Sequence, residues 1–337
     1  MSTSSTDSLG ELSGTVKGSW HQFLDVYEPL RPELYRYCRY LTRSPWDAED
    51  LTQDTLARAF STLARMVEGP PNPKAWLFRM ASNLWIDQMR RRRELAFSER
   101  LEGEPAIPHE LHEPHEPRAA REAAGTLLVR LSPQERAAVV LKDVFELTLE
   151  EIAEALSTTT GTVKTALHRG RGKLVEPEPE KAAEPAAAAV LDAFCDAFNA
   201  RDLDRLTALM LDTSTIDVVG VTTEYGAKSA RIRILPGMLF GSEKLADPTW
   251  TGIDWSLRKG SHPTPPRAEV RIYRGEPLLL SWYQHDDGEA VRAITRIAVE
   301  GDRIAHLQNY FYTPDFIADV CRELGVPFRI NGYRYWK

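Results

Sequence analysis

The chain is poor in cysteine, in long apolar runs and in net positive charge. Its three cysteines, Cys38, Cys195 and Cys321, are far apart and form no C-x-x-C pair, which argues against both a disulfide framework and a cysteine zinc site. No stretch approaches the ~20 apolar residues that cross a bilayer. The first residues, Met-Ser-Thr-Ser-Ser-Thr, lack the basic and apolar regions of a signal peptide. We therefore expect a globular, cytoplasmic protein without membrane contact.

The formal net charge is −7 over 337 residues, a balance that by itself argues against a nucleic-acid partner. Local clustering matters more than the total, because phosphates are bound by groups of neighbouring cations. The acidic residues are concentrated in connecting segments, since residues 94–118 contain seven glutamates and two arginines. Two basic clusters, Arg90–Arg93 and Lys164–Lys173, contain no acidic residue. The charge pattern therefore permits DNA binding at two places.

The apolar pattern divides the chain into helical and strand-forming parts. Before residue 211 apolar residues recur at helical spacing, and after it short runs alternate in character. Helices followed by a long antiparallel sheet indicate a multidomain chain with two all-α domains and one α+β domain. The predicted segments are a disordered N-terminus (1–19), a helical domain (20–93), an acidic proline-rich linker (94–118), a helix-turn-helix domain (119–175), a second linker (176–189) and an α+β domain (190–337).

The second predicted helix has an acidic outer face. It begins at Ser44-Pro45, a cap followed by a first-turn proline. Its apolar residues form one stripe. Outside that stripe, positions 49 and 53, and likewise 50 and 54, lie one helical turn apart on the same side of the helix. This spacing predicts that four polar residues face outward, namely Glu49, Asp50, Gln53 and Asp54.

The third predicted helix begins at Asn72-Pro73 and ends in four consecutive arginines. Adjacent arginines point to all sides of a helix, so they indicate a general phosphate clamp. Trp76 and Trp85 are interpreted as packing residues, with base stacking as the alternative. The candidate nucleic-acid contacts of this helix are Lys74, Arg79, Asn83, Arg90, Arg91, Arg92 and Arg93.

A helix-turn-helix follows the linker. Thr148 and Glu151 form a capping box that opens a short helix, and Ser157–Thr160 makes the turn. The next helix projects small polar and cationic groups from its first half, as major-groove reading requires, and cations suited to phosphates from its second. A helical hairpin with a solvated basic face is the alternative. The outward residues are Thr162, Lys164, Thr165, His168, Arg169, Arg171 and Lys173.

Three of these motifs together resemble bacterial sigma factors of the extracytoplasmic-function (ECF) group. They are Asp47–Thr55, the helix Asn72–Arg93 with its Lys-Ala-Trp-Leu-Phe-Arg run, and Leu131–Arg136 leading into Gly161–Lys164. The resemblance covers roughly residues 20–175.

The resemblance implies the partners and their sites. Core RNA polymerase would be bound through its β′ clamp and β subunit, with Asp47–Thr55 docking on the clamp helices. The loop Met66–Asn72 and the following helix would open and read the −10 element as melted DNA, and the helix Thr160–Lys173 would read the double-stranded −35 element. The acidic linker would imitate RNA in a basic polymerase channel. The protein would act in the bacterial cytoplasm, at the nucleoid.

The C-terminal layout resembles a SnoaL-like α+β cone, a fold that isomerases and hydrolases also use. In ECF members such an extension commonly regulates the protein itself. A subgroup signature, Asp-Gly-Gly-Gly-Lys, is replaced here by Glu224-Tyr-Gly-Ala-Lys228. A cone can enclose a small-molecule pocket, and the candidate lining residues are Trp255, Tyr283, His306 and Tyr310.

We expect no catalytic residue, cofactor or metal. Catalysis in such a fold needs a carboxylate or histidine aimed into an apolar cavity, and Asp217 and Asp254 are the weak candidates. His109, His112 and His115 lie in a proline-broken segment with no rigid element to set ligand geometry. The alternative function is an isomerase- or hydrolase-like enzyme, or a ligand sensor, fused to a DNA-binding module.

Overall fold

A computed structural model describes residues 15–16, 18–102, 131–171, 185–239, 266–285 and 287–333. The chain forms two compact units, Met1–Glu178 and Pro179–Lys337. None of the described helices combines the length and apolarity needed to cross a membrane.

The first unit is helical. Residues 18–27 are helical and lead through the 3-10 turn Glu28–Leu30 into the following elements. Ser44 accepts a hydrogen bond from the Asp47 amide at 3.3 Å and so caps one helix, as the sequence predicts. The helices are α1 (Arg31–Thr42), α2 (Pro45–Leu63), α3 (Pro73–Glu102), α4 (Pro133–Asp143), α5 (Leu149–Ala155) and α6 (Thr160–Arg171).

Helices α4 and α5 each begin with a capping box. Ser132 and Glu135 exchange hydrogen bonds at the start of α4, and Thr148 and Glu151 do so at the start of α5. Each box satisfies amides that the first helical turn leaves without an intrahelical acceptor. The predicted box at Thr148 is confirmed, and these caps set where the helix-turn-helix begins.

Helix α6 packs tightly on α4 at Gly170. A Cβ atom at this position would lie 2.8 Å from Cγ2 of Val139, too close for any side chain. The sequence suggests that this glycine weakens the helix, since glycine costs up to ~1 kcal/mol relative to alanine. The structure gives it a packing role, because its missing side chain is what allows the two helices to approach.

The second unit combines helices with a six-stranded sheet in the order β2-β1-β6-β5-β4-β3. The helices are α7 (Pro185–Asn199), α8 (Leu203–Ala208), α9 (Ala227–Arg233) and α10 (Pro314–Leu324). The strands are β1 (Met210–Val218), β2 (Thr222–Tyr225), β3 (Arg267–Tyr273), β4 (Glu276–His285), β5 (Gly288–Glu300) and β6 (Arg303–Tyr310). The predicted multidomain class, with an α+β domain after the helical domains, is confirmed.

The sheet is mixed, which corrects the expectation of antiparallel pairing throughout. β1 runs parallel to β6, its neighbour in the sheet, whereas the other neighbouring strands are antiparallel. Parallel partners need a crossover between them. Alternation of side chains along a strand does not reveal which strand is the neighbour, so the sequence pattern could not predict this pairing.

Helices α7, α8 and α9 cover one face of the sheet. Phe194, Phe198 and Leu206 pack there against Ile216 and Leu307 in one apolar core. Successive strand residues point to opposite faces, so Tyr310, three residues after Leu307, lies on the other face. There it stacks on Phe316 of α10, with ring centroids 4.4 Å apart.

The segment after α10 returns along β5 and closes its own unit. Phe328 forms a β-bridge with Val291, and the Tyr333 hydroxyl donates to Asp315 at 2.7 Å. The sequence carries four aromatic residues in this region, Phe328, Tyr333, Tyr335 and Trp336, and by itself leaves open whether they anchor within one domain or between domains. The structure makes Phe328 and Tyr333 anchors within the second unit, and Tyr335 and Trp336 lie outside the described residues.

Candidate nucleic-acid and protein interfaces

Helix α6 presents a continuous polar and cationic face. Its inner side is buried through Val163, Ala166, Leu167 and Gly170. The Thr159 hydroxyl accepts from the Thr162 amide at 3.2 Å and so orders the first turn. Six of the seven residues predicted to face outward are described, and all six are exposed: Thr162, Lys164, Thr165, His168, Arg169 and Arg171. The seventh, Lys173, lies outside the described residues.

An open groove of about 450 Å³ lies beside this face. Lys164, His168 and Arg171 border it from α6, and Lys142 borders it from α4. Lys142 is absent from the sequence-based candidates because its helix carries no basic cluster. Only the packing of α4 against α6 places a fourth basic side chain at the groove, which suits an anionic chain such as a DNA backbone.

Arg171 is held in place by a carboxylate. Its guanidinium forms an ion pair with Asp143, and its Nε donates to Oδ2 of Asp143 at 3.2 Å. The hydrogen bonds to Asp143 raise the pKa of Arg171 above its usual value. The arginine is therefore oriented at the end of α6 by a neighbour within its own unit.

Helix α3 buries an aromatic stripe and exposes cations on other sides. Phe78 and Trp85 are buried, which confirms Trp85 as a packing residue, and Trp76 is half-buried. Several basic side chains pair with acids on the same unit: Lys74 with Glu33, Arg90 with Asp87 at 3.1 Å, and Arg92 with Asp47 at 3.5 Å. Arg79, Asn83, Arg90, Arg91 and Arg92 are at least partly exposed, and the side chain of Arg93 lies outside the described part.

The acidic face of α2 is smaller than the sequence predicts. Asp50 and Asp54 are exposed and Gln53 is half-buried, as expected of a contact surface. Glu49, predicted to face outward, is fully buried and forms an ion pair with Arg31, which is also buried. Gln53 Nε2 donates to Glu49 Oε1 at 2.7 Å.

The error at Glu49 has a physical cause. Helical periodicity places the residue at the edge of the apolar stripe, where charge alone indicates exposure. A buried carboxylate is tolerable when a cation and hydrogen bonds compensate it. Arg31 supplies that cation from 18 positions earlier, a partner that spacing within one helix cannot indicate.

The structure describes three of the four proposed pocket residues of the second unit, Tyr283, His306 and Tyr310. Tyr283 lies four residues after the core residue Leu279 on β4, so it belongs to the helix-covered face, where its ring lies 6.2 Å from that of Phe311. His306 and Tyr310 lie on the opposite face of the sheet. Trp255 and Asp254 lie outside the described residues. That these residues and Trp255 line one pocket stays a prediction.

His306 instead pairs with a candidate carboxylate. Its Nε2 lies 2.5 Å from Oδ2 of Asp217 on the face away from the apolar core. Asp217 is thus not aimed into the apolar cavity that catalysis would need. Among the described residues, no group of three His, Cys, Asp or Glu side chains is placed to hold a metal. The three linker histidines lie outside that part.

Comparison with known families identifies the two helical parts. Residues 26–94 match the family model of sigma-70 region 2, and residues 121–174 match that of sigma-70 region 4. These ranges contain helices α1–α2 and α4–α6, and the first also covers most of α3.

Similar proteins carry the same assignment. The ECF RNA polymerase sigma factor SigW of Bacillus subtilis is 31% identical over 170 residues, which cover 47% of this chain and 89% of SigW. ECF sigma factor SigG of Mycobacterium tuberculosis is 30% identical over 240 residues, 62% of this chain. The match spans 64% of the length of SigG, less than two thirds.

A solved structure of the Mycobacterium tuberculosis extracytoplasmic function sigma factor SigJ covers 87% of this chain and 97% of its own, at 23% identity and a TM-score of 0.31. Family membership rests on the relatives at 30% identity or above whose length this chain largely covers. The chain belongs to the ECF RNA polymerase sigma factors.

Proposed function

We propose that this protein directs core RNA polymerase to specific promoters and starts transcription there. The observation that carries the proposal is the exposed face of α6, where small polar and cationic residues lie opposite the buried stripe. This helix belongs to a helix-turn-helix domain in which α4 and α5 each begin with a capping box. Such a helix fits the major groove with its first turns and phosphates with its last. The subunit performs no chemistry in this proposal, since polymerase supplies the active site.

Docking on polymerase is assigned to α2. Asp50 and Asp54 lie one turn apart and exposed, which suits cations on the β′ clamp, and Gln53 lies between them. Glu49 takes the supporting role of fixing α2 against α1 through Arg31. A second contact, through the region 4 helices to the β subunit, follows from family membership alone.

Promoter reading is divided between two helices. Lys74, Arg79, Asn83 and the arginines from Arg90 onward contact the melted −10 element in this proposal. Helix α6 contacts the double-stranded −35 element, with Lys142 as an additional phosphate contact at the groove. The two helices thus read two elements of one promoter.

The second unit is proposed to regulate the first. Among the described residues, the candidate carboxylate Asp217 already pairs with His306 on the face of the sheet away from the helix-covered core. This pairing supports a regulatory domain over the alternative of an isomerase- or hydrolase-like enzyme. A small-molecule ligand of this domain enters the proposal only as a modulator of that regulation.

Run-off transcription tests the proposed function. The full chain is mixed with core polymerase and a library of templates with randomised upstream sequence, and the transcribed templates are sequenced. We expect transcripts enriched in two motifs at a fixed spacing, absent when the chain is omitted. Transcription without any sequence enrichment, or none at all, would contradict the proposal.

A further inference from the structure

A carboxylate lies among the cations that border the groove beside α6. Lys142, Lys164, His168 and Arg171 line the groove, and Asp143 forms an ion pair with the last of them. A negative charge beside a phosphate-binding surface opposes binding through repulsion. Asp143 is also the last residue of α4, and a helix C-terminus disfavours a carboxylate. Neither the stability of its own helix nor attraction of DNA therefore accounts for this residue.

The ion pair occupies one edge of the Arg171 guanidinium. Nε donates to Oδ2 of Asp143 at 3.2 Å, and Nη2 donates to Oδ1. A guanidinium carries its five N–H donors in one plane, so the carboxylate takes two of them along a single edge. The others lie on Nη1 and on the far side of Nη2, where two parallel N–H groups match two oxygens of a phosphate. A carboxylate on one edge thus fixes the direction of the opposite edge.

The backbone that carries Arg171 is fixed as well. Gly170, directly before it, is buried against α4, where an added Cβ would lie 2.8 Å from Cγ2 of Val139. Asp143 belongs to the same helix α4, so both partners of the ion pair are held by two helices in tight contact. Their side chains are 52% and 40% exposed, which leaves the pair accessible to a phosphate from solvent.

Holding the side chain in advance favours binding. A long side chain that is immobilised only in the complex loses rotamer freedom on association, and this loss reduces affinity. Where a carboxylate already holds the arginine, the loss occurs on folding and no longer on binding.

We propose that Asp143 is a positioning residue for DNA, which holds Arg171 with its Nη1–Nη2 edge directed at one phosphate of the −35 duplex. This inference rests on the proposed promoter-reading function. Asp143 strengthens DNA binding although its own charge opposes it. Removal of the carboxylate has two opposite effects, loss of positioning and loss of repulsion, and the first is the larger.

The sign of the change in affinity distinguishes these two effects. Asp143→Asn keeps the size of the side chain and removes its charge. Glu154→Gln is the matched control, since it neutralises another exposed carboxylate in the last turn of a helix of the same domain. Variants of the full chain are titrated, at two salt concentrations, with a duplex that the unaltered chain has selected from randomised −35 sequence. Circular dichroism and thermal melting check that each variant is folded.

We expect Asp143→Asn to weaken binding by about two- to tenfold, the range that corresponds to immobilising one long side chain on association. Glu154→Gln should leave affinity unchanged or slightly tighter. In an Arg171→Ala background, Asp143→Asn should instead tighten binding, because only repulsion then remains to be removed. A role in folding alone would not reverse the sign between the two backgrounds.

Neutral methylphosphonate groups locate the contact in the duplex. When phosphates are replaced one at a time, one position should weaken binding by the unaltered chain clearly more than binding by Asp143→Asn. An unchanged pattern would show that Asp143 does not direct Arg171 and would overturn the inference. Equal or tighter binding by Asp143→Asn, in an unaltered background that binds specifically, would overturn it alone. Absence of any sequence preference in the unaltered chain would overturn the promoter-reading function as well.

Discussion

A buried ion pair fixes the helix that also carries the exposed acidic residues. Arg31 and Glu49 are both buried and bind each other, and Gln53 adds a hydrogen bond to the same carboxylate. Adjacent positions on α2 therefore have different roles: Glu49 stabilises the packing of α1 against α2, while Asp50 faces solvent. Residue type alone does not distinguish them.

Glu49→Ala should destabilise the first unit by about 3–5 kcal/mol, because it leaves the Arg31 charge buried without its partner. Hydrogen exchange read on peptides from α1 and α2 measures the effect within the full chain. Asp50→Ala is the control at the adjacent exposed position and should change protection by less than about 0.5 kcal/mol. Equal protection in both variants would mean that the pair contributes nothing.

The double change Asp50→Ala, Asp54→Ala should weaken binding of core polymerase, with a cost of ~2–5 kcal/mol for charge pairs that are desolvated in the complex. Folding should be unaffected, since both side chains are exposed. Glu300→Ala, Asp302→Ala makes the same charge change on exposed residues of the second unit and should leave affinity intact. If the two double variants bind polymerase equally well, α2 is not the docking helix.

At the scale of elements, α6 carries two kinds of exposed side chain along its length. Its first turns carry short polar groups and a lysine, whereas its end carries arginines, one of them already oriented by Asp143. Tight packing on α4 at Gly170 fixes the direction of this face. The division along the helix therefore predicts a division of function.

Alanine at Lys164, Thr165 or His168 should alter which upstream sequence is preferred, because a well-placed side chain on a base edge discriminates against the wrong base by ~1–3 kcal/mol. Alanine at Arg169 or Arg171 should instead weaken binding to all promoters and reduce its salt dependence. Selection from randomised −35 duplexes, repeated at two salt concentrations, separates the two effects. A changed preference with Arg171→Ala but not with Lys164→Ala would show that the helix enters the groove in the opposite direction.

At the scale of the whole molecule, the last described segment of the second unit packs within that unit. Its last described segment bridges to β5 and binds α10, so the aromatic residues Phe328 and Tyr333 stabilise their own unit. Removing this segment would therefore disturb the packing of its own unit. This makes removal of the entire domain a cleaner change than removal of the tail.

A chain that ends at Val175 should differ from the full chain in promoter opening while keeping the same sequence preference. A folded domain on a short connector acts at high effective concentration, so even a weak contact shifts the balance between arrangements. Permanganate footprinting of melted DNA, with binding to a −35 duplex measured in parallel, compares the two chains. Identical opening rates would show that the second unit does not regulate the first.

The sequence alone determined the order of helical and strand-forming regions, the caps at Ser44 and Thr148, and the outward residues of α6. These features depend on periodicity and on neighbours within a few positions, which can be read along the chain. Tertiary structure decided the burial of Glu49, the place of Lys142 at the groove, and the parallel pairing of β1 with β6. Each of these depends on partners far apart in sequence, and local patterns carry no information about which distant residue will pack against them.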